Sequence, residues 1–479
     1  MTAVLLPAGM VFLPLLLALV TWLAPERVTA RVAVAGHAAS LALAVLLALV
    51  VRRGGVVSQS LGGWEPPLGI AVRADGLAAL FALLTAVVVL AVALHVAFAG
   101  NQPRSLWPLL SLLQTGLVAV FVTGDLFNAY VGLEITGLTA VGLVALGGRG
   151  ARRAALHYLI VAVLGSLFFL VAVGVVYGTT GTLDIALAGH QWARSDANAA
   201  VPLGLAATGL ALKCALFPLH GWLPPAHAAA PLAASPLLSA LVVKAPLVVL
   251  LRLWLDVTGG EPLVGLVLSL MGAGAVMWGG LQALVQTSLK RVVAYSTVVQ
   301  VGYLFLPFVM LAPGVARPVQ ELALGAVVTL AVAHALAKAA AFLVAGTIKT
   351  ARGSDELHMI RGMARHWPAM AMALAIAGIS LMGLPISAGF VGKWQLLGAA
   401  GATGTWWVVA VVLVGTLLSA AYLMRPVAGS LQPTGDLPDW PRLDGRLAIA
   451  PLGLALLAFV LGLSSVALVQ LAEVGRWGQ

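Results

Sequence analysis

The stretch FPLHGWLPPAHAAAPLAASPLLSALVVK, residues 217–244, decides how the rest of the chain is read. It places His220, His227 and Lys244 among Pro218, Pro224, Pro225, Pro231 and Pro236, and it follows Lys213 inside an apolar run. Proline frees backbone carbonyls, and ionisable side chains resist leaving water. Inside hydrocarbon, a segment that combines the two must be satisfied by protein or by a water-filled cavity.

That the surroundings are hydrocarbon follows from composition. Of 479 residues, 61% are hydrophobic and 9% charged, which excludes a soluble globular domain. The chain reads as an all-α polytopic membrane protein. One cysteine, Cys214, excludes an intrachain disulfide framework and a cluster ligated by this chain's cysteines alone, so no cofactor is expected. The net charge of +10 is assigned to cytoplasmic loops, not to a nucleic-acid partner. The first apolar run, Val4 to Leu23, has no basic segment before it and is read as a retained first helix.

Apolar runs of roughly 18 residues or more mark fourteen spans, near 3–23, 32–51, 76–98, 106–123, 126–146, 156–177, 202–217, 232–253, 263–285, 293–311, 322–346, 368–399 (interrupted), 405–425 and 447–470. An even count puts both termini on one side. If that side is external, the inside loops hold fifteen basic residues, among them Arg149, Arg152, Arg153, Lys290, Arg291, Lys349 and Arg352. The outside loops hold only Arg52, Arg53, Arg73, Arg194, Arg317 and Arg476, with Arg252 at a helix end. The positive-inside rule therefore predicts external termini.

Four lysines remain inside spans: Lys213, Lys244, Lys338 and Lys393. Glu134 is the one acid clearly within a span. At 1.5 Å per residue, Glu134, Lys213 and Lys244 lie about 13, 16 and 12 Å into their helices, near the middle of a core about 30 Å thick. A charge at that depth costs at least about 2.5–3.5 kcal/mol, so it must face protein, water or another charge. One acid cannot neutralise four lysines, and a proton relay is the use such groups serve. A fixed ion pair that only locks helices together is the plainer alternative.

Helix breaks reinforce that reading. Span seven runs into Pro218, Pro224 and Pro225, and span twelve is interrupted at GLPISAGFVG (383–392) just before Lys393. Paired interrupted helices in two halves of a transporter point to its ion site. A weak echo, GTTGTLDIALAG (178–189) and GTIKTARGSDELHMIRG (346–362), suggests inverted five-helix repeats. The expected organisation is residues 1–103 (spans 1–3), 104–255 (first repeat, spans 4–8), 256–426 (second repeat, spans 9–13) and 427–479 (span 14).

His334 and Lys338 are four apart and share a helix face. The histidine is read as a proton carrier or, more plainly, as a hydrogen-bonded structural group. His220 and His227 either relay protons or cap freed carbonyls, and His157 is interfacial with a possible relay role. His37 and His95 receive no function. No HExxH pattern, phosphate loop or nucleophile elbow occurs in a credible setting, so neither a metal site nor soluble-type catalysis is expected.

DLFNAYVGLE (125–134), LKCALFPLHGWLPPAHAAAP (212–231), LKRVVAYSTVVQVGY (289–303), HALAKAAAFLVAG (334–346) and GLPISAGFVGK (383–393) resemble the antiporter-like subunits shared by respiratory complex I, membrane-bound hydrogenases and Mrp-type cation/proton antiporters. The likeness runs in order over about residues 75–425. It implies fourteen helices, inverted five-helix repeats with spans 7 and 12 broken, and a water-bridged hydrophilic axis. By motif, Glu134 matches the acid of helix five, and Lys213 the broken-helix lysine that pairs with it. Lys244 matches the helix-eight lysine, His334 and Lys338 the helix-eleven pair, and Lys393 the lysine of broken helix twelve. Ser288, His157 and Pro246 depart from the pattern, where many relatives carry an acid, a lysine and a glycine. The resemblance implies a proton-translocating subunit of a larger bacterial inner-membrane complex, with other membrane subunits as partners and Na⁺ or another cation as a possible exchanged ion. The chain would carry the ions of a redox-driven translocase such as NADH:quinone oxidoreductase or a hydrogenase, without catalytic chemistry of its own. A self-sufficient solute transporter and a non-transporting anchor are the rival readings.

Overall fold

The computed structural model describes residues 5–434 and 440–475, so Arg476 lies outside the described residues. Twelve helices in the described residues are long and apolar enough to cross a membrane. Some of them continue through short turns or breaks, as in Ala200–Ala229, Ala234–Thr258, Leu289–Met310 and Gly445–Glu473, and two shorter apolar helices stand at the remaining predicted spans. Two predicted spans fall short: α4 (Leu106–Val122) has 17 residues, and α16 (Pro368–Met382) has 15 because it stops at the break before α17 (Ala388–Ala402).

The chain begins with α1 (Leu6–Leu23), α2 (Glu26–Gly54) and α3 (Gly76–Ala99). A small departure from the all-α expectation separates the last two: strands β1 (Val57–Ser60) and β2 (Ala71–Ala74) pair antiparallel, Val57 opposite Ala74. Next come α5 (Leu126–Ala145), α6 (Arg149–Thr180), the short α7 (Ile185–Trp192) and α8 (Ala200–Cys214). The chain then passes through α9 (Leu223–Ala229), α10 (Ala234–Leu237) and α11 (Ala245–Arg252) to α12 (Pro262–Val285), α13 (Leu289–Phe305) and α14 (Arg317–Arg352). After α15 (Met363–His366), α16 and α17 come α18 (Trp406–Leu431), α19 (Ile449–Val460) and α20 (Ser465–Glu473).

Several helices outrun their predicted spans. Arg27 and Arg31 belong to α2, Arg149, Arg152, Arg153 and His157 to α6, Lys290 and Arg291 to α13, and Lys349 and Arg352 to α14, so none of them is a loop residue. Helices continue past the apolar run because basic side chains are well placed where a helix leaves hydrocarbon.

The centre is α14, in which every residue from Ala323 to Ile348 is buried. It packs against α13, α16, α17 and α19, so its His334 and Lys338 are held inside protein. On the other side α6 and α8 cross with backbones in contact. A Cβ on Gly165 would lie 2.7 Å from the Gly209 carbonyl oxygen, and one on Gly209 would overlap the Gly165 carbonyl. Only glycine permits that approach.

The echo between 178–189 and 346–362 has a backbone counterpart. Leu126 N–H donates to Leu183 O at 2.9 Å and Ile185 N–H to Gly124 O at 2.8 Å. Leu289 N–H donates to Asp355 O and Leu357 N–H to Thr287 O, both at 2.7 Å. Gly181 and Gly353 end their helices at φ 69° and 72°, a left-handed turn that glycine adopts freely. In each half, therefore, the start of one helix is stitched to the segment that follows the next.

Candidate functional site

Span seven breaks as the prolines require. α8 ends with Ala215 in the left-handed region, and the chain resumes helically at Leu219. Span twelve breaks in the same way, with Gly383 in the matching position: Leu216 N–H donates to Ala211 O at 3.0 Å and Leu384 N–H to Ile379 O at 3.2 Å. Lys213 precedes its break and Lys393 follows its own, so the two lysines approach their breaks from opposite half-helices.

Lys213 Nζ lies 3.2 Å from Glu134 Oε1, with side-chain exposures of 7% and 24%. Ser166 Oγ, from α6, donates to the same oxygen. A carboxylate that accepts from both a hydroxyl and an ammonium makes charge-assisted bonds, the strong kind, and is fixed in orientation by them. α5, α6 and α8 thus each contribute one group to a single ion-pair site.

The other lysines bond carbonyls, not acids. Lys244 Nζ donates to Ser239 O at 2.5 Å, a carbonyl of a π-helical turn at Leu238–Val242. Such a turn disturbs the regular ladder and supplies an acceptor. Lys338 Nζ donates to Val293 O at 2.7 Å and to Ser296 Oγ. Lys393 Nζ donates to Met382 O at 2.8 Å, in the last turn of α16, and to Thr416 Oγ1 at 3.0 Å, and it stands 4.5 Å over the Tyr303 ring. No acid pairs with these three among the described residues.

His334 is fully enclosed, and neither ring nitrogen has a hydrogen-bond partner. Its electrostatic neighbours are Lys244, Lys338 and His227. His227 is likewise enclosed with both nitrogens unbonded, and its ring stacks 4.4 Å from Phe342 of α14. The structure therefore gathers Lys244, His227, His334 and Lys338 in one cluster. Neither histidine caps a freed carbonyl. Lys393 stands apart from that cluster, His220 is half-buried and stacks on Phe217 at 5.5 Å, and His157 is exposed in a polar vestibule with Lys349, Asp355 and Glu356.

Residues 123–419 match the family described as NADH:quinone oxidoreductase/Mrp antiporter, TM. The chain belongs to this family. Over 441 residues it is 35% identical to the N-type subunit of the NADH-quinone oxidoreductase of Desulforudis audaxviator, covering 88% of this chain and 85% of that one. Over 398 residues it is 29% identical to the D-type subunit of the Na(+)/H(+) antiporter of Bacillus subtilis, covering 82% and 79%. A chain of the membrane-bound sulfane sulfur reductase, an archaeal respiratory membrane complex, superposes with a TM-score of 0.88 at 31% identity over 98% of this chain and 96% of that one.

This antiporter-family chain holds charged groups that the span analysis placed elsewhere. Lys290, read as a loop residue, is 2% exposed and donates to Ala230 O at 2.6 Å. Arg252, read as a helix end on the outside, forks onto Asp75 at 2.5 and 2.7 Å and reaches Asp256 at 3.1 Å. α13 also links the lysines. Thr297 Oγ1 lies 2.8 Å from Ser239 Oγ, beside the carbonyl that Lys244 uses, while Ser296 meets Lys338 and Tyr303 faces Lys393. The Ser, Thr and Tyr residues of AYSTVVQVGY carried the signal, because they interrupt an apolar helix at positions near three buried lysines.

Proposed function

We propose that the chain is a proton-translocating antiporter-like subunit of a multisubunit membrane complex. The observation that carries this reading is the partly enclosed Glu134–Lys213 pair standing beside lysines that have no counter-acid. When the pair is closed, the carboxylate favours the charged lysine. When it opens, Lys213 loses that support and gives up its proton towards Lys244; a small cavity beside Lys213 is lined by Val242 and Pro246, two residues either side of Lys244. His334 and His227 pass it to Lys338, and the α13 face that carries Ser296 and Tyr303 leads on to Lys393. Each step needs only a change in the charge state of the preceding group.

Fourteen membrane crossings, two inverted repeats over 104–255 and 256–426, external termini and a bacterial inner-membrane location belong to the same proposal. The matched backbone stitches and the excess of Lys and Arg at the span ends expected inside support them. The partners are the other membrane subunits of a complex I-like, Mrp-type or respiratory reductase assembly, by likeness to the relatives. The test is Lys213→Ala and Glu134→Ala in the intact complex reconstituted into liposomes, with proton movement read by a pH-sensitive dye. Assembly persists and the pH gradient is lost; normal pumping in either variant sinks the mechanism.

A further inference from the structure

We propose that Lys290 is the proton-loading residue between the vestibule and the buried cluster, an assignment that rests on the proton-translocating reading above. The vestibule is lined by His157, Ser288, Lys349, Asp355 and Glu356, with Arg153 and Arg291 at its margin. Asp355 forms its floor. The carboxylate accepts Ser288 Oγ at 2.5 Å and the backbone N–H of Lys290 at 2.9 Å, and lies 3.8 Å from Lys349 Nζ. The Lys290 backbone is therefore anchored at the vestibule floor while its side chain turns away from solvent into the protein.

Its ammonium reaches the end of α9, donating to Ala230 O. One turn earlier on α9 is His227, whose two ring nitrogens have no partner. The charged and titratable groups around Lys290 come from each neighbouring element: Lys349 and Asp355 from α14 and the segment after it, and His227 from α9. Behind His227 stand Lys338 and Lys244. Lys290 is thus the side chain that runs from a backbone held by Asp355, a largely buried acid lining the vestibule, to the end of the helix that carries the unpartnered His227. A proton taken from the Asp355 side is released to a ring nitrogen of His227, which holds it for Lys338 or Lys244. The neighbouring Lys349 does not occupy this position. Half-exposed in the vestibule, it caps Ala228 O at 2.9 Å and so marks what a purely structural cap of α9 looks like.

The experiment uses the whole complex in proteoliposomes, turning over with the electron donor or cation gradient that its neighbouring genes specify. Lys290→Arg keeps the charge and the donor to Ala230 but cannot release a proton. It assembles and loses proton movement by at least about a hundredfold, the scale of a lost acid–base group. Lys290→His restores a titratable group with a lower pKa. It moves protons below about pH 6.5 and fails above, so its pH profile shifts to acid relative to the parent. Wild-type pumping by Lys290→Arg overturns the assignment and leaves a mere helix cap. If Lys290→Arg does not assemble, an unshifted pH profile in Lys290→His overturns it equally. Lys213→Ala is the control: normal pumping there sinks the functional reading itself, whereas loss there with full activity in Lys290→Arg sinks only this assignment.

Discussion

Lys213 and Glu134 meet at 3.2 Å across α8 and α5, with Ser166 of α6 bonded to the same carboxylate oxygen. Among the described residues every other buried lysine of the series ends on a carbonyl or hydroxyl, so this is the one pair of the series in which a lysine has a counter-acid to lose. Lys213→Arg separates charge from proton release, since a guanidinium keeps the pair but stays protonated. The expected outcome is normal assembly and thermal stability with proton movement reduced by at least about a hundredfold. Dye-quench assays on proteoliposomes, beside a melting curve of the same sample, check both halves. Retained pumping would refute a gating role.

His334 tests whether the cluster is functional or merely packed. Its two unbonded ring nitrogens are buried polar groups without a protein partner, a costly arrangement for a structural residue. His334→Leu removes both nitrogens from an enclosed site. Stability should hold or rise by about 1–2 kcal/mol, because the desolvation cost disappears. Proton movement should fall sharply. A variant that melts lower yet still pumps would show that the ring is there for packing.

Much of this is legible in the sequence. Hydropathy located the spans because a bilayer demands long apolar runs, and the depth count placed Glu134 and Lys213 at one level because a helix rises evenly. Glycine and proline marked both broken spans for the reason that backbone carbonyls there lose their donors. Length alone does not recover fourteen crossings, because α4 and α16 are short and length is the quantity that hydropathy measures. Lys290 was misread because it starts a helix next to Arg291, and a Lys–Arg pair at a span edge looks like a loop anchor whichever way its first side chain turns. The Asp75–Arg252 pair was invisible because its partners lie 177 positions apart and each stands at the edge of a span.

The crossing of α6 and α8 sets where Lys213 stands. Gly165 would place a Cβ 3.2 Å from Lys213 Cγ, so the lysine stem lies along the glycine itself. Gly209→Val forces branched carbon against the Gly165 carbonyl and the Phe169 backbone nitrogen. Separating the helices should cost about 1–3 kcal/mol, the range for overpacking a dense interface. It should also lengthen the Glu134–Lys213 contact, so the loss of pumping exceeds what the fall in melting temperature accounts for. Gly204→Ala, on the same helix with open space around its Cβ position, is the matched control and should leave both unchanged.

Asp75 caps α3, accepting from Ala78 N–H at 2.9 Å, and holds Arg252 of α11 with both oxygens. Burial alone raises its carboxyl, but the Arg252 guanidinium, the Ala78 amide and the charge of Arg73 more than reverse that and hold it below the ordinary carboxylate range. A lowered folded pKa contributes stability that is complete above the unfolded value, about 3.9, and disappears as pH falls through the folded value. Asp75→Asn retains the cap but loses the pair, leaving a buried guanidinium served by Asp256 alone; the cost should be about 3–5 kcal/mol. Asp75→Ala should lose about 1 kcal/mol more, the value of an N-cap. Melting curves of the detergent-solubilised protein should show the wild-type advantage over Asp75→Asn constant from pH 8 to about pH 5 and shrinking only below about pH 4. An advantage that shrinks between pH 8 and 5 would assign the stability to some other titrating group.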